Sequence, residues 1–370
     1  MRIYLDNNAT TAIHPDVLSV LESSLRDVFG NASSIHREGQ TARRMIENAR
    51  ESVARLIGAN ARDVIFTSGG TESNNAAIFG STSNDHIRDL RCHIVTTSIE
   101  HPSVAEAVRT YDVTHVSASR DGVVSADDVI AAIRDDTRLV TVMMANNETG
   151  VVQPVEAIGA HCRARGIHFH VDAVQAAGKI AVDVEAIQCD TLALSAHKLH
   201  APKGIGALYV RRGVAMSSQI VGGAQERRRR AGTENVPLAA AFGAAAALPN
   251  ASEQIAMLRD RFEQRISASL DITINGANVR RLPNTSNVTF HGADGEGIVI
   301  ALDLSGVAVS TGSACSSGRV EPSPVLLAMG LTPEDARATV RFSLSRFTTE
   351  EEVERVGALV EELVPRCMRR

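Results

Sequence analysis

Thr191-Leu192-Ala193-Leu194-Ser195-Ala196-His197-Lys198 is a short apolar run that ends on a lysine. Its length suits a buried strand. A lysine at the end of such a strand is poorly solvated, so its pKa falls and the neutral amine becomes available as a nucleophile. Upstream, Ile167-His168-Phe169-His170-Val171-Asp172 is another apolar run, and it ends on a carboxylate. Residues 139–144 form a third, before Asn146-Asn147-Glu148. Ile94-Val95-Thr96-Thr97 precedes Glu100-His101, and Val64-Ile65-Phe66-Thr67 precedes Ser68-Gly69-Gly70-Thr71-Glu72. Helical spacing occupies 41–57, 73–79, 103–110, 127–134 and 155–165, and Gly206-Ala207-Leu208-Tyr209-Val210 is a further strand. Strands alternating with helices imply an α/β fold with a mostly parallel sheet flanked by helices. Ligands of such sheets bind beyond the carboxyl ends of the strands. Five polar clusters therefore converge on one edge.

The chain has 370 residues, of which 44% are hydrophobic and 22% charged, enough for a large core and two domains. We expect a large α/β domain over 15–250. From 251 the pattern changes to amphipathic helices (255–270 and 349–364) and alternating strands (271–275 and 287–290), which suggests a smaller α+β domain made of 1–14 plus 251–370. The net charge of -5 gives no electrostatic argument for nucleic acid or a lipid surface. No apolar run approaches the ~20 residues of a membrane span; the alanine-rich stretch 239–248 reads as a buried helix. The strand-like N-terminus leaves no room for a signal peptide, so a cytoplasmic location is expected. The five cysteines have no CxxC spacing, and no metal site is expected. Cys92, Cys162 and Cys189 lie in or beside apolar runs, and Cys367 lies in the polar C-terminal tail. Cys315 differs: Ser310-Thr311-Gly312-Ser313-Ala314-Cys315-Ser316-Ser317-Gly318 surrounds it with small residues that cannot bury it tightly.

Each candidate residue has two readings. Gly69-Gly70-Thr71 is either a plain turn or a helix start whose amides cradle a phosphate. His101 either stacks on a flat ring or bonds to backbone. Asp172 either caps a helix or pairs with a pyridinium nitrogen. Asn147 either shapes the turn before Gly150 or bonds a ligand. Arg341, inside the alternating run Val340-Arg341-Phe342-Ser343-Leu344, needs an anion, supplied either by a salt bridge or by a substrate carboxylate. The run Arg227-Arg228-Arg229-Arg230 is either a solvated face or the lining of an anionic site. A nucleophilic lysine combined with an acid for a ring nitrogen is the core of a pyridoxal 5'-phosphate (PLP) site.

Taken together, the chain resembles the cysteine desulfurases of the NifS/IscS type within the fold-type I PLP enzymes of the class V aminotransferase family. The resemblance is carried by residues 4–11, 30–36, 67–74, 100–102, 146–150, 171–175, 195–204, 230–235, 310–316 and 341–348, in order along nearly the whole chain. It implies that Lys198 holds PLP, Asp172 pairs with the ring nitrogen, Gln175 bonds the ring hydroxyl and His101 stacks on the ring. It implies that Gly70, Thr71, Ser195 and His197 bind the phosphate, with Thr233 entering from a second subunit, hence a homodimer. Asn147 and Arg341 would hold the carboxylate of an L-cysteine substrate. Cys315 would take the sulfur as a persulfide, with Gly312 and Gly318 as hinges, for delivery to iron-sulfur cluster assembly or another sulfur-acceptor protein. The cysteine loop looks like that of the group with the long mobile loop. The C-terminal tail is shorter than the one with which IscS proteins dock their scaffold partner. Other readings are an aminotransferase, a selenocysteine lyase, or a sulfur-relay subunit without catalysis. The first gives no reason for the Cys315 loop, and the last would need damage at Lys198, Asp172 or Cys315, all of which are present.

Overall fold

The computed structural model describes residues 2–84, 87–311 and 321–369. Cys315, Gly312 and Gly318 lie outside the described residues. A seven-stranded sheet runs in the order Val64–Thr67, Gly206–Val210, Thr191–Ser195, His168–Asp172, Thr137–Met143, His93–Thr97, Asp112–Val116. Most neighbours are parallel. Gly206–Val210 runs antiparallel to both of its neighbours. Strands at the sheet centre are buried on both faces, which explains why they read as continuous apolar runs. Asp112–Val116 escaped the sequence reading because it is an edge strand with a largely polar, half-exposed sequence. The helix Pro15–Asp27 also escaped: Val17 and Ser24 point inward, but Leu18 and Leu25 are exposed and blur its apolar stripe.

Crossover helices fill both faces. Val155–Arg165 ends at Gly166, whose φ of 66° is the left-handed conformation that stops a helix, and the chain turns directly into His168–Asp172. The alanine-rich helix Val236–Ala246 is buried against Arg37–Leu56; a side chain at Gly243 would meet Ala49 Cα at 2.5 Å, so only glycine permits this approach. A second core forms around Phe262, Val288, Phe290, Val340, Phe342 and Val356, together with Ile3 and Leu5. The N-terminal strand Ile3–Tyr4 pairs with Val307–Ala308, far along the chain. From there, residues 6–11 pass to the carboxyl edge of the large sheet.

A buried ion pair fixes one wall of that edge. Arg50 and Glu226 are 3% and 7% exposed and bond in bidentate fashion at 2.6 and 2.9 Å. Arg50 also donates to the Val64 carbonyl, and Glu226 accepts from Phe66 N–H. Glu226, Arg227 and Arg228 all have positive φ, at roughly 1–2 kcal/mol each. The pair holds this strained turn in place, and two residues later Arg230 reaches the start of the helix after Thr67 by bonding Glu72 at 2.9 Å. Glu226→Gln removes the buried counterion of Arg50 and leaves it only the half-exposed Glu47 at 3.3 Å. It is expected to cost about 3–5 kcal/mol in denaturant unfolding, and a loss below about 1 kcal/mol would show that the pair does not hold the turn.

Candidate active site

Lys198 closes a single 3-10 turn, Ala196–Lys198, directly after the strand Thr191–Ser195. Its Nζ donates to two backbone carbonyls, Asn8 and Ala9, the latter at 2.8 Å. Burial and, second, the Arg341 charge push its pKa down to about 8; Asp6 and Asp172 pull the other way and lose.

Asp172 ends the adjacent strand, level with Met143 and Ala193. Its Oδ1 accepts from Val174 N–H at 2.9 Å; the residues that follow form a turn and not the helix that the capping reading expected. Its Oδ2 accepts from Asn74 Nδ2 at 2.7 Å. His101 caps the helix Pro102–Val108 by accepting from Ser103 N–H, so the backbone-bonding reading holds for one ring nitrogen. Desolvation by the surrounding chain, opposed by Asp172, keeps the ring below the ordinary histidine pKa and hence neutral.

Gly69 supplies no side-chain cap to the helix Gly70–Ser81, so the first amides face outward without one. A Cβ on Gly70 would meet Val174 Cγ2 at 2.8 Å and lie 3.5 Å from Ser195 Cβ, so this helix start is packed into the same corner as the ends of two strands. Burial raises the Glu72 pKa, but Arg230 and Ser68 outweigh it and hold the carboxylate below its ordinary range. Arg230 thus acts inside the fold and neutralises the one acid of the helix start. His197 sets its Nδ1 3.2 Å from Thr10 Oγ1; burial, then Lys198 and Lys203, push it down to about 4, and it is neutral.

Arg341 comes from the other core. It is 3% exposed, donates to Asp6 Oδ1 at 2.7 Å and to the Asn147 carbonyl at 3.0 Å, and its Nε finds no partner among the described residues. The salt bridge and an open donor therefore coexist. The side-chain amide of Asn147 makes none of the site's hydrogen bonds; the turn around it is built by buried Asn146, whose Oδ1 accepts from Glu148 and Thr149 N–H. Ser310 exchanges backbone bonds with Arg341, and Ser323 Oγ donates to buried Glu148 at 2.5 Å, so the residues flanking the Cys315 segment sit on either side of Arg341 and Asn147.

Gln175 is buried in the same cluster, with Nε2 on the Asn8 carbonyl and Oε1 on Lys179 Nζ at 2.7 Å. Thr71 borders the helix start and is exposed. Thr233 is exposed, and no hydrogen bond among the described residues joins its side chain to the cluster. Asn8, Asn74, Ser103 and Lys179 were not singled out from the sequence. Their signal was faint: an Asn-Asn pair after a strand, and polar residues on helical faces that the fold turns inward. Lys179 is surrounded by neutral acceptors, and burial, then Lys198, drives its pKa far down. Among the described residues no group of three or more histidine, cysteine or acidic side chains could hold a metal, and no helix is long and apolar enough to cross a membrane.

The arrangement offers a depressed lysine, a fixed carboxylate, an uncapped helix start and a buried guanidinium with an open donor. These fit an aldehyde cofactor that carries a ring nitrogen and a phosphate, beside an amino-acid carboxylate.

The aminotransferase class-V family model matches residues 3–356. A cysteine desulfurase of Trichormus azollae is 46% identical over 375 residues, covering 98% of this chain and 93% of the relative. A solved NifS-like protein superposes with a TM-score of 0.91 at 34% identity, covering 99% of this chain and all of that one. The structure of SspA in complex with cysteine gives a TM-score of 0.84 at 36% identity, with coverage of 94% and 100%. With the family model spanning both cores and every strand of the central sheet, the chain belongs to the aminotransferase class-V family.

Proposed function

We propose that this chain is a PLP-dependent cysteine desulfurase that converts L-cysteine to L-alanine and carries the sulfur on Cys315 as a persulfide. The carrying observation is that Lys198, Asp172, His101, Gly70 and Arg341, from five separate segments, meet at one sheet edge. The cysteine desulfurases among its relatives, matched over nearly their full length, support the same reading.

PLP, when bound, supplies a ring that withdraws electrons from the Cα of an amino acid. Lys198 would hold it, Asp172 would pair with its ring nitrogen, Gln175 would bond its ring hydroxyl and His101 would stack on it. Gly70, Thr71, Ser195 and His197 would take its phosphate, with Thr233 contributed by the second subunit of a homodimer. Asn147 and Arg341, whose buried Nε has no partner among the described residues, would hold the substrate carboxylate. Lys198 Nζ, with its pKa near 8, can take a proton and return it near neutral pH.

Cys315 must be a thiolate to attack the substrate sulfur. The substrate C–S bond breaks, an S–S bond forms on Cys315, and the carbon is protonated to alanine. Cysteine plus enzyme thiol gives alanine plus enzyme persulfide, with no external oxidant. Cys315 is five residues from Ser310 in the sequence, and Ser310 pairs with Arg341. An acceptor protein, of which an iron-sulfur scaffold is one class, would collect the sulfur. We assign the large domain to 15–250, the small one to 1–14 plus 251–370, and the location to the cytoplasm.

Because the Lys198 pKa is lowered, its amine is charged and unreactive below pH 8 and free above it. Capture of PLP by cofactor-stripped protein is expected to speed up through a midpoint of about 8; a midpoint near 10.5 would show an ordinary lysine. Cys315→Ser is expected to keep PLP and lose alanine formation from L-cysteine, and unchanged turnover in that variant would remove Cys315 from the reaction.

A further inference from the structure

Behind Asp172 runs a chain of hydrogen bonds to which the reaction gives no role. His170 lies two residues before Asp172 on the same strand and so on the same face. Its Nε2 is 3.0 Å from Asn74 Oδ1 and its Nδ1 is 3.0 Å from Thr191 Oγ1. Thr191 Oγ1 is also 3.0 Å from His168 Nε2. Asn74 Nδ2 is 2.7 Å from Asp172 Oδ2 and 2.8 Å from Ser103 Oγ. Ser103 Oγ is 2.8 Å from His101 Nδ1. Asn74, His170, Thr191 and Ser103 are all buried, so water does not satisfy them.

Around a carboxylate at Asp172, the side-chain contacts taken alone fit one arrangement of protons. A carboxylate only accepts, so Asn74 turns its NH2 toward Asp172 and its oxygen toward His170. That oxygen needs a donor, which puts the His170 proton on Nε2. Burial pushes the His170 pKa down to about 3, so the ring is neutral and its Nδ1 accepts the Thr191 hydroxyl proton. The Thr191 oxygen then accepts from His168 Nε2–H. On the other side, the Ser103 oxygen accepts from Asn74 and its hydroxyl proton goes to His101 Nδ1. That nitrogen already receives Ser103 N–H, so it carries no proton, and neutral His101 holds its proton on Nε2. The Thr191 carbonyl competes by drawing a proton to the His170 ring, which would favour the Nδ1 tautomer.

We propose that Asn74 is a positioning residue: oriented by His170 and Thr191, it turns its NH2 onto Asp172 Oδ2 and so fixes how that side chain faces the cofactor, and through Ser103 it fixes the His101 proton on Nε2. The inference rests on the proposed role of Asp172 as partner of the cofactor's ring nitrogen. Losing the Asn74 donor would free the Asp172 side chain to turn away from the ring nitrogen and so weaken its hold on the proton there.

Nitrogen-15 NMR of histidine-labelled holoenzyme reads the tautomers directly, without turnover. The unaltered protein is expected to show His170 and His101 as neutral Nε2–H forms at pH 7. Asn74→Leu keeps the volume and removes the amide. It is expected to release His170 to a mixture with Nδ1–H and to shift the pH midpoint of the bound cofactor's absorption band by about one unit. Thr191→Val cuts the chain at its far end, leaves every group facing the ring in place, and should shift that midpoint in the same direction by less. His170 protonated on Nδ1 in the unaltered protein would overturn the proposal, even where Asn74→Leu fails to fold. An unmoved midpoint in folded Asn74→Leu would overturn it as well. A protein that shows these tautomers but forms no alanine would instead overturn the desulfurase reading, so the two failures are separately visible.

Discussion

Asn8 joins the two cores through all of its hydrogen-bonding positions. Its N–H donates to Ser343 Oγ, and its side-chain NH2 to Thr285 Oγ1 and the Asn147 carbonyl. Its backbone oxygen takes Gln175 and Lys198, and its side-chain oxygen takes Asn284 and Lys179. Ser343, Thr285 and Asn284 belong to the strands and loops around the second core; Lys198, Gln175, Lys179 and Asn147 belong to the edge of the large sheet. A segment only a few residues from the N-terminus thus sets the distance between Lys198 and Arg341. The parallel pairing of Ile3–Tyr4 with Val307–Ala308 holds that segment from behind, and Asp6 bonds Arg341 from within it.

Burial does the electrostatic work at this junction, and it acts on both signs of charge. It lowers Lys198 and Lys179 and raises Glu100, which it pushes up to about 8, as well as Glu148. Glu100 is therefore mostly neutral at pH 7. It uses Oε1 to tie Thr97 to Met143 N–H, locking the ends of two neighbouring strands. Where a charge is retained, a specific partner outweighs desolvation, as Arg230 does for Glu72 and Glu226 for Arg50. An amine that titrates at about 8 beside a guanidinium with an unpaired donor suits an amino acid that must be held by its carboxylate while a proton moves.

The central sheet was legible because strands buried on both faces become unbroken apolar runs, and because in a parallel sheet the following residues must gather at one edge. Lys198, Asp172, His101 and Gly70 could be placed together on that basis alone. The antiparallel course of Gly206–Val210 was not legible: strand direction depends on how the chain crosses over, and an apolar run carries no sign of it. The edge strand Asp112–Val116 and the helix Pro15–Asp27 have too little buried face to leave a clear period. Asn8 and Asn74 were hidden for another reason. Their importance lies in saturating buried partners from distant segments, and an asparagine in isolation reads as a turn residue. Arg341 illustrates the middle case: the alternating strand showed that it needed an anion, but only the fold shows Asp6 on one nitrogen and an open Nε beside it.

This junction is built to remove sulfur from an amino acid. The most direct measurement is simultaneous quantification of alanine and sulfide from the purified protein supplied with L-cysteine, PLP and a thiol reductant. Equal amounts of the two products are the result the geometry requires. An intact cofactor spectrum with neither product would contradict it, and so would amino-group transfer without release of sulfide.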